Sequence, residues 1–100
     1  MALTYAEAIQ IAERHIEKQI KSSSFFSRYK FGEVGLQSEN EYFWTFVCGS
    51  EELFDEGYVP GAVYACVDKM HGHIWTDEEV EQFYIQKAAA RQSKIEPVAA

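Results

Sequence analysis

Asp68, His71, His73 and Asp77 fall in one short stretch of the chain, with Tyr64 just ahead of them. Carboxylates and imidazoles ligate transition metals and serve as general acids and bases, so these residues have the widest chemical range in the sequence. Their spacing matches no metal-binding motif, and Asp68 and His71 stand with Lys69, Met70 and Gly72 in a segment whose composition a tight turn already explains. No metal or cofactor is expected here. Apart from the edge of that turn, no carboxylate or histidine lies inside an apolar run where burial would tune its pKa for catalysis. The two cysteines, Cys48 and Cys66, sit in apolar runs and not in a C-x-x-C unit, which reads as two buried thiols. If their strands are neighbours a disulfide is conceivable, although a reducing compartment disfavours it.

The second chemistry on offer is electrostatic. No Lys or Arg occurs between Lys30 and Lys69, whereas Glu33, Glu39, Glu41, Glu51, Glu52, Asp55, Glu56 and Asp68 all fall in that interval. Such a run is either a solvated face or a docking surface for a basic protein, which complementary charge would attract and orient. Its densest part interleaves aromatic residues with acids, so Glu51, Glu52, Phe54, Asp55, Glu56 and Tyr58 are the candidate partner-binding residues. The formal net charge of -7 over 100 residues argues against nucleic acid or an anionic membrane surface as the partner. No run approaches the roughly 18 to 20 apolar residues that span a bilayer, and MALTYAEAIQ lacks the basic start and apolar core of a secretory signal. A cytoplasmic location is expected.

The elements that must position these residues can be read in order. Thr4 and Glu7 form a T-x-x-E capping box, and Tyr5, Ala8, Ile9, Ala12, Ile16 and Ile20 recur at helical spacing, predicting a helix from about Tyr5 to Lys21. His15 falls beside that stripe as a boundary histidine. Ser22, Ser23 and Ser24 end the helix, Phe25 and Phe26 read as plugs between helix and sheet, and a first strand is expected from about Tyr29 to Gln37. Gly32 or Gly35 would mark a bulge or a close approach.

Glu41 to Cys48, EYFWTFVC, is the strongest strand and is apolar on both sides of the pleat. Gly49 to Gly61 reads as a long loop anchored by Leu53, Phe54 and Tyr58. Ala62 to Val67 gives a second strand apolar on both sides, which Asp68 to Gly72 turns back through a bulged hairpin into His73 to Thr76. Thr76 or Asp77 then caps a helix to about Arg91, with Val80, Phe83, Tyr84 and Ala88 as its buried stripe, and the tail 93–100 is expected to fray. Residues 1–92 are expected to form one α+β domain: an N-terminal helix, an antiparallel meander of about four strands and a C-terminal helix, with the helices on one sheet face. The other face would leave Phe43 and Val47 needing cover, for instance by a second copy in a homodimer.

The order of a capped helix, a strand with the aromatic pair Trp44 and Phe46, the loop with Gly57, Pro60 and Gly61, and then VDKMHGHIW and EEVEQFY resembles the YrhB-like bacterial immunity domains. Val67, Asp68, Lys69, Gly72 and Ile74 carry the likeness, which covers roughly residues 4–90. It implies a non-enzymatic protein that binds a cognate toxin and neutralises it by occluding its surface. Two readings of other classes remain open. One is a homo-oligomeric or chaperone-like structural module that pairs through its uncovered sheet face. The other is a cystatin-like or NTF2-like small-ligand binder or enzyme using His71, His73, Asp68 or Tyr64 in a pocket.

Overall fold

The structure, a computed structural model, describes residues 3–58 and 61–95. Helix α1 spans Tyr5–Ser22, one residue past the expected end. Its capping box is formed in full: Thr4 Oγ1 accepts from the Glu7 N–H at 3.2 Å and Glu7 Oε1 accepts from the Thr4 N–H at 3.1 Å. Two backbone donors that the first turn cannot use internally are thereby satisfied. Ala8, Ala12 and Ile16 are fully buried, and the two alanines let the helix backbone come close to the sheet.

Four strands form one antiparallel sheet in chain order: β1 Val34–Glu39, β2 Phe43–Gly49, β3 Ala62–Asp68 and β4 Ile74–Trp75. This is the expected meander, and with the N- and C-terminal helices it makes an α+β fold. The first strand starts later than its sequence suggested. Ser23 Oγ accepts from the Phe26 N–H at 3.0 Å and helps set a 3₁₀ turn at Phe26–Arg28, and the Lys30 N–H donates to Glu52 Oε1 at 2.7 Å, so the residues between that turn and Val34 run outside the sheet. The irregularity in β1 falls between Leu36 and Ser38 instead of at either glycine, while the Gly32 N–H donates to the Gly49 carbonyl at 2.9 Å.

The β2–β3 register sets Trp44 opposite Val67, Phe46 opposite Ala65 and Cys48 opposite Val63. These six residues meet Ala8, Ala12 and Ile16 in one buried cluster, so α1 covers this face. Alternation sends Phe43, Thr45 and Val47 to the other face with Cys66 and Tyr64. Cys48 and Cys66 are therefore on opposite faces, both are free, and the conceivable disulfide has no geometry to form. Burial pushes both thiols above their ordinary pKa.

The C-terminal helix α3, Asp77–Ile95, runs further than expected, and the rest of the anticipated tail lies outside the described residues. It also corrects the one-sided arrangement. The Phe83 ring lies 5.3 Å from Phe43, 5.9 Å from Trp75 and 5.4 Å from Tyr42 between centroids, which places the start of α3 on the face opposite α1. Phe43 is thereby completely buried from within the chain and is not offered to a second copy. The anticipated stripe is buried only in part: Val80 and Phe83 are half-buried, whereas every residue from Tyr84 to Arg91, Ala88 included, is exposed. Phe83 thus carries the attachment of α3. Phe83→Ala should lower stability by about 3 kcal/mol and speed amide exchange along α3. Urea denaturation and hydrogen exchange would show both, and an unchanged exchange rate would mean that α3 is held elsewhere.

Candidate binding surface

The expected loop between β2 and β3 contains a short helix, α2, at Glu51–Asp55. Ser50 begins it as an N-cap whose Oγ accepts from the Leu53 N–H at 3.3 Å, and Glu51 and Glu52 put negative charge in its first turn, where the helix dipole favours it. Leu53 is buried and pins the helix from beneath. The Ser50 N–H donates to the Gly61 carbonyl at 2.9 Å, so the start of α2 is tied to the strand that follows it. Gly61 is required there, because a Cβ would stand 2.9 Å from the Phe54 nitrogen.

This bracing turns the candidate residues outward. Glu51, Glu52, Phe54, Asp55, Glu56 and Tyr58 are all exposed, and Phe54 keeps 68% of its surface open to water. One of the acids also works within the fold: Glu52 Oε1 accepts from the Lys30 N–H at 2.7 Å. Glu56 lies near Tyr29, and its carboxylate, followed by burial, holds the Tyr29 hydroxyl above its ordinary pKa. Glu51 and Asp55 make no hydrogen bond or ion pair among the described residues, and with Phe54 they line an open cleft of about 820 Å³ beside Lys30 and Phe31. Tyr58 belongs to an adjoining aromatic group, its ring 5.2 Å from that of Phe25, which in turn lies 5.3 Å from Tyr29. Phe26 reaches the core as expected, whereas Phe25 belongs to this outer group.

The polar residues of the hairpin are divided by the fold. Asp68 is buried at the end of β3, where Oδ1 accepts from the Trp75 indole N–H at 3.0 Å and Oδ2 from the N–H groups of Met70 at 3.0 Å and His71 at 2.7 Å. Burial works against its charge, but the hydrogen bonds from His71, Trp75 and Met70 and the nearby His73 outweigh it and leave the carboxyl below its usual pKa. His71 and His73 stand beside Asp68 with exposed side chains. Tyr64 and Asp77 line a different, open groove of about 860 Å³, together with Thr45, Cys66, Val80 and Tyr84. His15 reaches the rim of that same groove. The expected polar set therefore does not converge on one enclosed cavity.

The acidic cluster was visible in the sequence as a one-signed interval, but its helical form, the close approach of Gly61 and the inward duty of Glu52 were not. No protein-family model, curated protein or solved structure matches this chain. Gly61→Ala should cost about 1–3 kcal/mol by forcing the Phe54 backbone away, measurable as a lower urea midpoint. A midpoint equal to that of the parent chain would show that α2 yields without strain.

Proposed function

We propose that the protein is a small, acidic, non-enzymatic binding protein that lays its α2 face on the basic surface of a protein partner and blocks it, in the manner of an immunity protein covering a toxin. The observation that carries this reading is Phe54, a large aromatic side chain 68% exposed among carboxylates on a helix braced against the sheet. An aromatic anchor surrounded by charge is the usual composition of an energetic centre in a protein interface, the anchor holding the complex and the charge speeding and orienting encounter. Glu51 and Asp55, which have no internal partner among the described residues, supply the steering charge. The likeness of Val67, Asp68, Lys69, Gly72 and Ile74 to the YrhB-like immunity hairpin supplies the toxin as the class of partner.

Such a protein should co-purify with a basic product of the adjacent gene. Glu51→Lys combined with Asp55→Lys leaves the inward bond of Glu52 intact and should slow association about tenfold or more at low salt, while Phe54→Ala should speed dissociation about tenfold or more. Surface plasmon resonance separates the two rates. Binding untouched by all three substitutions would move the contact surface away from α2.

A second reading has its own observation. Tyr84 and Ile85 are about half exposed on α3, next to a sheet face on which Val47 and Cys66 are only half-buried and Tyr64 is exposed. A second copy of the chain would cover both surfaces as a homodimer through that face. Light scattering at millimolar concentration distinguishes the cases, since a mass equal to one chain leaves α3 without a partner copy.

A further inference from the structure

We propose that Asp68, His71 and His73 form a binding site for one divalent transition-metal ion of the zinc, nickel or copper type at the tip of the β3–β4 hairpin. One ligand atom from each residue lies within 4.8 Å of the other two. His71 Nδ1 is 3.4 Å and His73 Nδ1 4.0 Å from Asp68 Oδ2. A tetrahedron with metal–ligand bonds of about 2.1 Å has edges of about 3.4 Å. The first separation already equals that edge, and the second reaches it with a rotation of the exposed His73 ring.

The scaffold under these ligands is rigid, which limits the conformational cost of binding. The Asp68 N–H donates to the His73 carbonyl, the Gly72 N–H to the Asp68 carbonyl and the Lys69 N–H to the Tyr42 carbonyl, at 2.9, 3.0 and 2.9 Å. Gly72 has a φ of +75°, and a Cβ there would press on Ile11 of α1 and on Leu3, so the turn is seated against the N-terminal helix. The Trp75 indole holds Asp68 Oδ1 from behind, the role that an outer hydrogen-bond partner plays for a metal-ligating group. Oδ2 accepts from the Met70 and His71 N–H groups, so an ion bound there would share that oxygen with them or displace one of them. Two imidazoles and one carboxylate select a borderline transition metal over calcium or magnesium, which prefer oxygen ligands throughout. Three protein ligands on an exposed turn leave the remaining positions to water, so the ion would exchange with solvent. In sequence the set is D-x-x-H-x-H, which matches no metal motif, and only the turn at Gly72 brings both rings to one carboxylate.

The test is calorimetric titration of the full chain with zinc and nickel chloride, with magnesium chloride as the control and the tryptophan fluorescence followed in parallel. One ion per chain should bind, with nickel quenching the emission and magnesium having no effect. His71→Ala and His73→Ala should each weaken binding about tenfold or more, and His15→Ala should leave it unchanged. Both ligand histidines are exposed, so the variants should melt like the parent in chelator, which keeps loss of binding distinct from loss of fold. The site is overturned if neither ion binds at about 1 mM, or if the double variant His71→Ala/His73→Ala binds as the parent does, which would assign the ions to surface carboxylates.

Discussion

The constraint on which the structure depends is that β2 and β3, paired along their whole length, are apolar on both faces. A half-buried sheet satisfies itself with one covering layer, but this pair needs two. Helix α1 provides the first by laying an Ala–Ala–Ile stripe across Trp44, Phe46 and Val67. The second layer is shorter, because only the start of α3 turns its aromatic ring onto Phe43 and Trp75. The fold therefore has a closed face and a partly open one, and the difference follows from how far each helix stays in contact with the sheet.

Much of this was legible in the sequence wherever a signal was local. The T-x-x-E box, the strand EYFWTFVC and the bulged turn ending at Gly72 each depend on residues a few positions apart, and each appears close to where it was expected. The misjudged parts depend on distant partners. Tyr29 to Glu33 has strand-like composition but is drawn out of the sheet by the serine-capped turn before it and by the bond from Lys30 to Glu52. The stripe Val80, Phe83, Tyr84 and Ala88 is helical as read, yet periodicity cannot say whether a surface waits opposite each turn: Tyr84 touches Phe43 only edge-on and stays exposed, and Ala88 is exposed as well. For the candidate site, acidity was legible as composition, whereas the choice between outward and inward carboxylates was made by tertiary contact.

The acids between Lys30 and Lys69 show this sorting. Adjacent in charge pattern, they serve unlike ends in space. Asp68 is drawn inward to the Trp75 indole, and Glu39 is neutralised at 2.7 Å by Lys69, whose ammonium also lies 5.1 Å above the Trp44 ring. Glu51 and Asp55 keep their charge for solvent. The interval is thus sorted between carboxylates with internal duties and carboxylates left to solvent, and the exposed pair on α2 is of the kind that orients an approaching cation.

The backbone bond from the Leu3 N–H to the Lys69 carbonyl, 2.8 Å long, joins the residues just ahead of α1 to the turn between β3 and β4. It closes a circuit through most of the chain, so the docked position of α1 is defined only once the hairpin exists. Loop closure over such a separation comes at an entropic cost before the contacts it permits are gained. Local pieces can form early, but the native arrangement of helix and sheet is an ending in which distant segments lock together, and its speed is set by topology more than by the strength of any single helix or strand.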